Sequence, residues 1–208
     1  MQSRPAELDA FLGSLFAAIK AQAADNQPMQ SVTERIMDAL LVFGQRSEDK
    51  ASDLPVCSLM ADACSCVQHH VDNADKPLLV DSSVSAHAMA MQALSASLDW
   101  WRRPDAEEVG EPFASGHANA MVVGPRGLEH RSDVWIGISL IAPHVDYPAH
   151  RHKPEEVYLV LSEGEWQQNN GSWHEPGIGG VVHNPPDIVH AMRSGSKPLL
   201  ATWCLWVG

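Results

Sequence analysis

From Pro104 onward the chain reads as short runs of β-branched, aromatic and aliphatic residues cut by turn signals. This texture constrains the fold more than any other feature. The runs are "MVVG", "VWIGISLIA", "VYLVL", "EWQQ", "GGVVHN", "IVHAM" and "LLATWCLWV", and the breaks include "NNG" at 169–171 and "NPPD" at 184–187. Many short, closely spaced strands imply a sandwich or barrel. No internal repeat and no low-complexity tract is present.

Residues 1–104 have a different period. In "PAELDAFLGSLFAAIKAQAA", Leu8, Phe11, Leu12, Leu15, Phe16 and Ile19 recur at steps of three and four, which makes one apolar stripe on a helix. "SVTERIMDALLVFG" opens with Ser31 and Glu34 at capping-box spacing and predicts a second helix ending near Gly44. "SVSAHAMAMQALSASLDWW" predicts a third, with Val84, Met91, Leu94, Leu98 and Trp101 on one side, stopping before "RRPD". The expected architecture is mainly β, with a helical region (1–104) packed on an antiparallel barrel (105–208).

Charge and composition narrow the partners. The 208 residues carry a formal charge of −12, which disfavours nucleic acid and anionic membranes because both need clustered Lys and Arg. No apolar run approaches the roughly 20 residues of a membrane span. The first 27 residues lack the basic start and unbroken apolar stretch of a signal peptide. Cys57, Cys64, Cys66 and Cys204 are too few for a disulfide scaffold. The expectation is a cytoplasmic protein with reduced thiols, monomeric or homodimeric. In "CSLMADACSCVQHH", Cys64, Cys66, His69 and His70 do not match the paired arms of a structural zinc site, so buried thiols and surface histidines are expected there.

The densest group of ligand-type residues lies in "DYPAHRHKPEEVYLVLSEG", residues 146–164. It holds both tyrosines of the chain, Tyr147 and Tyr158. Strand side chains alternate faces, so His150, His152, Glu156 and Tyr158 share one face by parity, whereas Tyr147 falls on the other. "GGVVHNPPDIVHAMRS" adds His190. Two imidazoles, a carboxylate and a phenol on one face, with a third imidazole from a later strand, point to a metal site.

These residues resemble the two motifs of the cupin family, whose fold is a double-stranded β-helix, or jelly-roll, barrel. His150, His152 and Glu156 match the first motif, although His144 stands where its opening glycine would be and Gly164 falls one residue late. Gly179, Pro185 and His190 match the second, with Asp187 in place of a glycine and Ser194 in place of an asparagine. The narrower pattern Y-x-x-H-x-H-x-x-x-E-x-Y, Tyr147 to Tyr158, resembles the dimethylsulfoniopropionate (DMSP) lyases of the DddQ type.

That resemblance implies one divalent metal ion, drawn from Fe(II), Zn, Mn, Co or Ni. Its ligands would be His152, Glu156 and His190, with His150 as a further candidate. It also implies a small zwitterionic substrate cleaved to acrylate and dimethyl sulfide. Tyr158 and Tyr147 would be the catalytic pair, with Tyr158 favoured as the base because it shares parity with Glu156, and Tyr147, His150, Tyr158 and Trp203 would line the substrate site. A sulfonium binds well against aromatic faces, and Trp100, Trp101, Trp135 and Trp206 are further candidates for such a cage. Residues 124–133, "GPRGLEHRSD", are polar and Gly-rich enough for a lid. Two other readings stay open: a cupin oxygenase using Fe(II), and a non-catalytic cupin that binds a small ligand.

Overall fold

The computed structural model describes residues 3–23, 26–47, 51–72 and 79–208. Helix α1 (Ala6–Gln22) buries the predicted stripe, Leu8, Phe11, Leu12, Leu15, Phe16 and Ile19. Helix α2 (Gln27–Ala39) begins before the Ser31–Glu34 pair. Asn26 caps it, accepting from the Met29 N–H at 3.2 Å, and Pro28 occupies its first turn. A cap followed by a proline with a helical φ outweighs a capping-box spacing further along. Helices α3 (Met60–Asp72) and α4 (Leu79–Ser95) follow.

Helix α4 stops short of the two tryptophans expected to complete it. Trp100 and Trp101 instead form a strand, paired with Ala120 and Asn119. The Trp100 indole N–H donates to the Ser95 carbonyl at 3.1 Å, one of the acceptors a helix end leaves unpaired. Aromatic residues fit a pleated edge better than a fraying helix terminus.

The strands are β1 (Gln45–Arg46), β2 (Trp100–Trp101), β3 (His117–Val123), β4 (Glu129–His130), β5 (Val134–Ile141), β6 (Asp146–His150), β7 (Glu155–Val160), β8 (Glu165–Gln168), β9 (Val181–Asn184), β10 (His190–Arg193) and β11 (Leu199–Trp206). A large sheet runs β1-β4-β3-β5-β11-β7-β9, with β2 also on β3, and a small one runs β6-β10-β8. From β5 to β11 the chain alternates between the two sheets, and β11 returns between β5 and β7. This is the double-stranded β-helix of a cupin barrel. β1 and β2, which precede residue 105, add to its large sheet.

Alternation along the strands divides two cores. Val157, Leu159, Leu200 and Cys204 face the helices, together with Leu8, Phe11, Met91 and Leu98. Tyr158, Val160, Ala201, Trp203 and Leu205 face the barrel interior. The 124–133 segment does not behave as the expected lid. Glu129, buried in it, accepts from Arg4 Nε at 2.5 Å and from the Gly44 N–H at 2.8 Å, and Arg131 Nε donates to Asp133 at 2.9 Å. Arg4, just before α1, and Gly44, after α2, thus tie the segment to the N-terminal region, and the Arg131–Asp133 pair braces it internally.

Candidate metal centre and active site

Three interior strands converge to build the site. His150 on β6 lies directly across from His190 on β10, and Glu156 and Tyr158 project inward from β7. Between the pairs His190–His150 and Met192–Tyr147, β10 advances two residues while β6 advances three. That extra residue is a bulge, and it turns Tyr147 onto the face of His150. Strict parity had placed Tyr147 on the opposite face.

Each histidine ring is oriented by a backbone carbonyl. Nδ1 of His150 lies 3.0 Å from the Pro148 oxygen, Nδ1 of His152 lies 2.9 Å from that of Pro154, and Nδ1 of His190 lies 3.1 Å from that of Ile188. A carbonyl only accepts, so this network assigns the proton to Nδ1 in all three rings and leaves each Nε2 as a bare lone pair. One ligand nitrogen from each ring falls within 4.8 Å of the others. Nε2 of His152 and Nε2 of His190 each lie 3.3 Å from Oε2 of Glu156. Nε2 of His190 is buried with no hydrogen-bond partner. Bare nitrogens and a carboxylate oxygen thus face one another with no donor between them, an arrangement suited to a cation.

The charges respond accordingly. A proton on Nε2 is the alternative to a metal there: burial alone would raise the Glu156 carboxyl, but His152 and His190, when protonated on Nε2, donate to it and hold it well below the usual carboxylate range. Burial, reinforced by neighbouring His190, pushes His150 down to about 4. His152 would also fall on burial, but Glu156 beside it raises it instead. Glu156 is held from behind. Asn184 Nδ2 donates to its Oε2 at 2.8 Å, and Gln168 Nε2 donates to Asn184 Oδ1 at 2.6 Å.

The site opens into a cavity of about 300 Å³. Tyr147, His150, His152, Glu156 and Tyr158 give it polar lining and Trp101, Trp135, Trp203, Met121 and Leu205 apolar lining, with Trp203 paired to Tyr158 and Leu205 to Glu156 across β11 and β7. Trp203 has room because its partner across β5 is Gly137; a Cβ there would run into the indole and into the Ala120 carbonyl. Both phenols sit above their ordinary value. Burial raises Tyr158, and the negative charge of Glu156 adds to it. Burial also raises Tyr147, against the opposing charge of Arg103. The Asn119 amide lies 3.5 Å from the Tyr147 hydroxyl and is itself fixed by Ser139 Oγ at 2.7 Å.

The structure therefore brings together every predicted residue: His150, His152, Glu156, His190, Tyr147, Tyr158 and Trp203. Of the other indoles, Trp101 and Trp135 line the cavity. Trp100 belongs to the helix-side core, and Trp206 lies under Arg35. Exposed His144 lies on a turn away from the site, and His183 pairs with Glu155 at 2.8 Å rather than with the metal-type cluster. Among the described residues, Cys64, Cys66, His69 and His70 form no ligand cluster. Burial pushes the thiols of Cys57 and Cys64 up to about 12 and about 11.

Four residues were not foreseen. Arg103 was read only as part of a helix stop, and Asn119, Ser139 and Asn184 carry no spacing signal. A polar residue inside an otherwise apolar strand run is the one clue the sequence holds for Asn119 and Ser139.

A family model for dimethylsulfoniopropionate lyase matches residues 28–201. The chain is 26% identical over 133 residues to the dimethylsulfoniopropionate lyase DddQ of Ruegeria pomeroyi, a match that spans 64% of this chain and 66% of that relative. The crystal structure of DddQ from Ruegeria pomeroyi superimposes with a TM-score of 0.67 at 21% identity, over 95% of this chain and 91% of that one. A structure from crystallographic work on the DMSP lyases RdDddP and RnDddQII gives the same TM-score at 19% identity, over 97% and 92%. At those identities the superpositions speak for the shared fold, while the family match spans most of the sequence. The chain belongs to the dimethylsulfoniopropionate lyase family.

Proposed function

We propose that this protein is a metal-dependent carbon–sulfur lyase that splits DMSP into acrylate and dimethyl sulfide by β-elimination. The observation that carries this reading is a cluster of three bare imidazole nitrogens opening into one cavity that is also lined by a buried carboxylate, two phenols and three indoles. His152, Glu156 and His190 would hold the metal, with His150 as a fourth candidate. The buried, unpartnered Nε2 of His190 fits that role. When bound, a divalent ion supplies Lewis acidity toward a carboxylate and a positive charge that makes a neighbouring phenol easier to ionise.

The chain's own residues account for the rest. Trp203, Trp135 and Trp101 offer aromatic faces to a poorly hydrated sulfonium and keep water from it. Tyr158, ionised, takes the proton from the carbon next to the carboxylate. The electron pair of that C–H bond becomes the new C=C bond as the C–S bond breaks. Sulfur keeps the bonding pair and leaves as neutral dimethyl sulfide, so no general acid is needed. A free phenol titrates near 10 and is raised further here by burial and Glu156, so the base works only if a cation offsets that charge. Tyr147, beside His150 and Asn119, lines the path to the site.

The test is headspace detection of dimethyl sulfide from purified, metal-loaded protein given DMSP, with and without oxygen. Equal release in both conditions is expected. No release, or release that requires oxygen, would refute the lyase reading; the latter outcome favours an oxygenase.

A further inference from the structure

Among the described residues lining the cavity, Arg103 is the one lysine or arginine. Its guanidinium is held in place before any ligand arrives. Nε and Nη2 donate to the two carboxylate oxygens of Asp105 at 2.5 and 2.9 Å, and Nη1 lies 3.4 Å from the Pro148 carbonyl. Its backbone N–H donates to Nε2 of His117 at 2.8 Å, and His117 is itself stacked on Phe113. The guanidinium carbon sits 4.9 Å from the Phe113 ring centre and 5.1 Å from that of Tyr147.

Those contacts use three of the five guanidinium N–H groups, and Arg103 also hydrogen-bonds the Tyr147 hydroxyl, which leaves one N–H for a ligand. Asp105, the counter-charge, is 46% exposed and solvated on its far side, whereas the Arg103 side chain is 16% exposed. The cavity therefore has a cationic group beside Tyr147 and His150, and the indoles of Trp101, Trp135 and Trp203 elsewhere in its lining. An onium group is repelled from the first and attracted by the second; a carboxylate has the opposite preference.

We propose that Arg103 is a specificity-determining residue: it anchors the substrate's carboxylate beside the histidine cluster and forces the onium end onto the tryptophans. The cavity is then selective for short zwitterions with one anionic and one onium end. This rests on the lyase reading of the same site: Asp105 takes the Nε–Nη2 edge and fixes the guanidinium, which keeps its charge and a remaining N–H for a second carboxylate.

The test uses two half-ligands. Acrylate carries the carboxylate without an onium, and trimethylsulfonium carries the onium without a carboxylate. Each is titrated by calorimetry into the metal-loaded wild type, Arg103→Gln and Arg103→Lys. Arg103→Gln is expected to weaken acrylate by about 10-fold or more while changing trimethylsulfonium less than about 2-fold. Arg103→Lys, which keeps the charge but not the fork, should fall between. With DMSP as substrate, the loss should appear in KM more than in kcat.

Retained trimethylsulfonium affinity reports an intact cavity. Equal weakening of both ligands would make Arg103 a structural brace, and unchanged acrylate binding would remove it from the site; either overturns the proposal. Wild-type protein that binds acrylate but releases no dimethyl sulfide would refute the lyase reading, and Arg103 would still be judged on the acrylate difference.

Discussion

The large sheet buries a histidine against each of its faces, and the two are treated differently. On the helix side, His87 of α4 is fully enclosed, with Nε2 2.9 Å from Thr202 Oγ1 and Nδ1 3.2 Å from Ser14 Oγ. Both ring nitrogens have partners, and burial pushes the imidazole down to about 3, so it stays neutral. On the barrel side, His190 is almost as buried, yet its Nε2 has none. A folded chain rarely leaves a buried polar atom unpaired, because doing so costs about 1–3 kcal/mol. The satisfied ring is a fastening between helix and barrel, and the unsatisfied one waits for a ligand. Burial alone distinguishes neither.

That contrast predicts where substitutions hurt. Tyr158→Phe on the inner face should lower the rate of dimethyl sulfide release by about 10²–10⁴-fold, the range for losing a general base, while leaving metal content unchanged by elemental analysis. Full activity would take Tyr158 out of that role. His190→Ala should weaken metal binding by more than about 100-fold in a chelator competition, with the melting temperature of the metal-free protein nearly unaffected. A large loss of metal-free stability would mean that this ring too is a fastening. Asn184→Ala, which releases Glu156 from behind, should cost about 10-fold in metal affinity, at the low end for a residue that orients a ligand.

His87 should reveal itself only in stability. Its folded value lies below the ordinary one, so the unfolded chain binds the extra proton. The stability it contributes is therefore complete above pH 6.5 and erodes as the pH falls toward 3. Between pH 8 and pH 5 the loss from this one ring is about 2 kcal/mol in denaturant titrations. His87→Gln should flatten that difference by the same amount; an unchanged pH dependence would show that the ring is not the sensor.

The departures from the cupin motifs have backbone explanations. His144 and Asp187, which stand where the motif carries glycines, have φ of 59° and 61°. Asn, Asp and His enter the left-handed region more readily than other residues with a Cβ, so the turns survive the exchange. Ser194, in place of an asparagine, still performs a polar task. Its hydroxyl donates to the Ala142 carbonyl at 2.6 Å and accepts from the Val145 N–H at 2.9 Å, tying the end of β10 to the turn before β6.

Local pattern was enough to read the apolar stripe of α1, the run of strands after Pro104 and the His-x-His-x-x-x-Glu set as a cluster, though not as one strand face, since His150 lies on β6 and Glu156 on β7 in different sheets. Periods of 3.6 and 2 are properties of the backbone and are written into residue order. Tertiary structure decided what depends on which strand lies beside which. The bulge in β6 is visible only against β10, and it carried Tyr147 into the cavity. Trp203 turns inward to work because Gly137 lies opposite, while Trp100 was claimed by the helix-side core. Arg103 entered the site from a segment with no motif of its own, and Asn184 from a position the second motif leaves unassigned, since long-range pairing juxtaposes residues whose spacing along the chain carries no record of their contact.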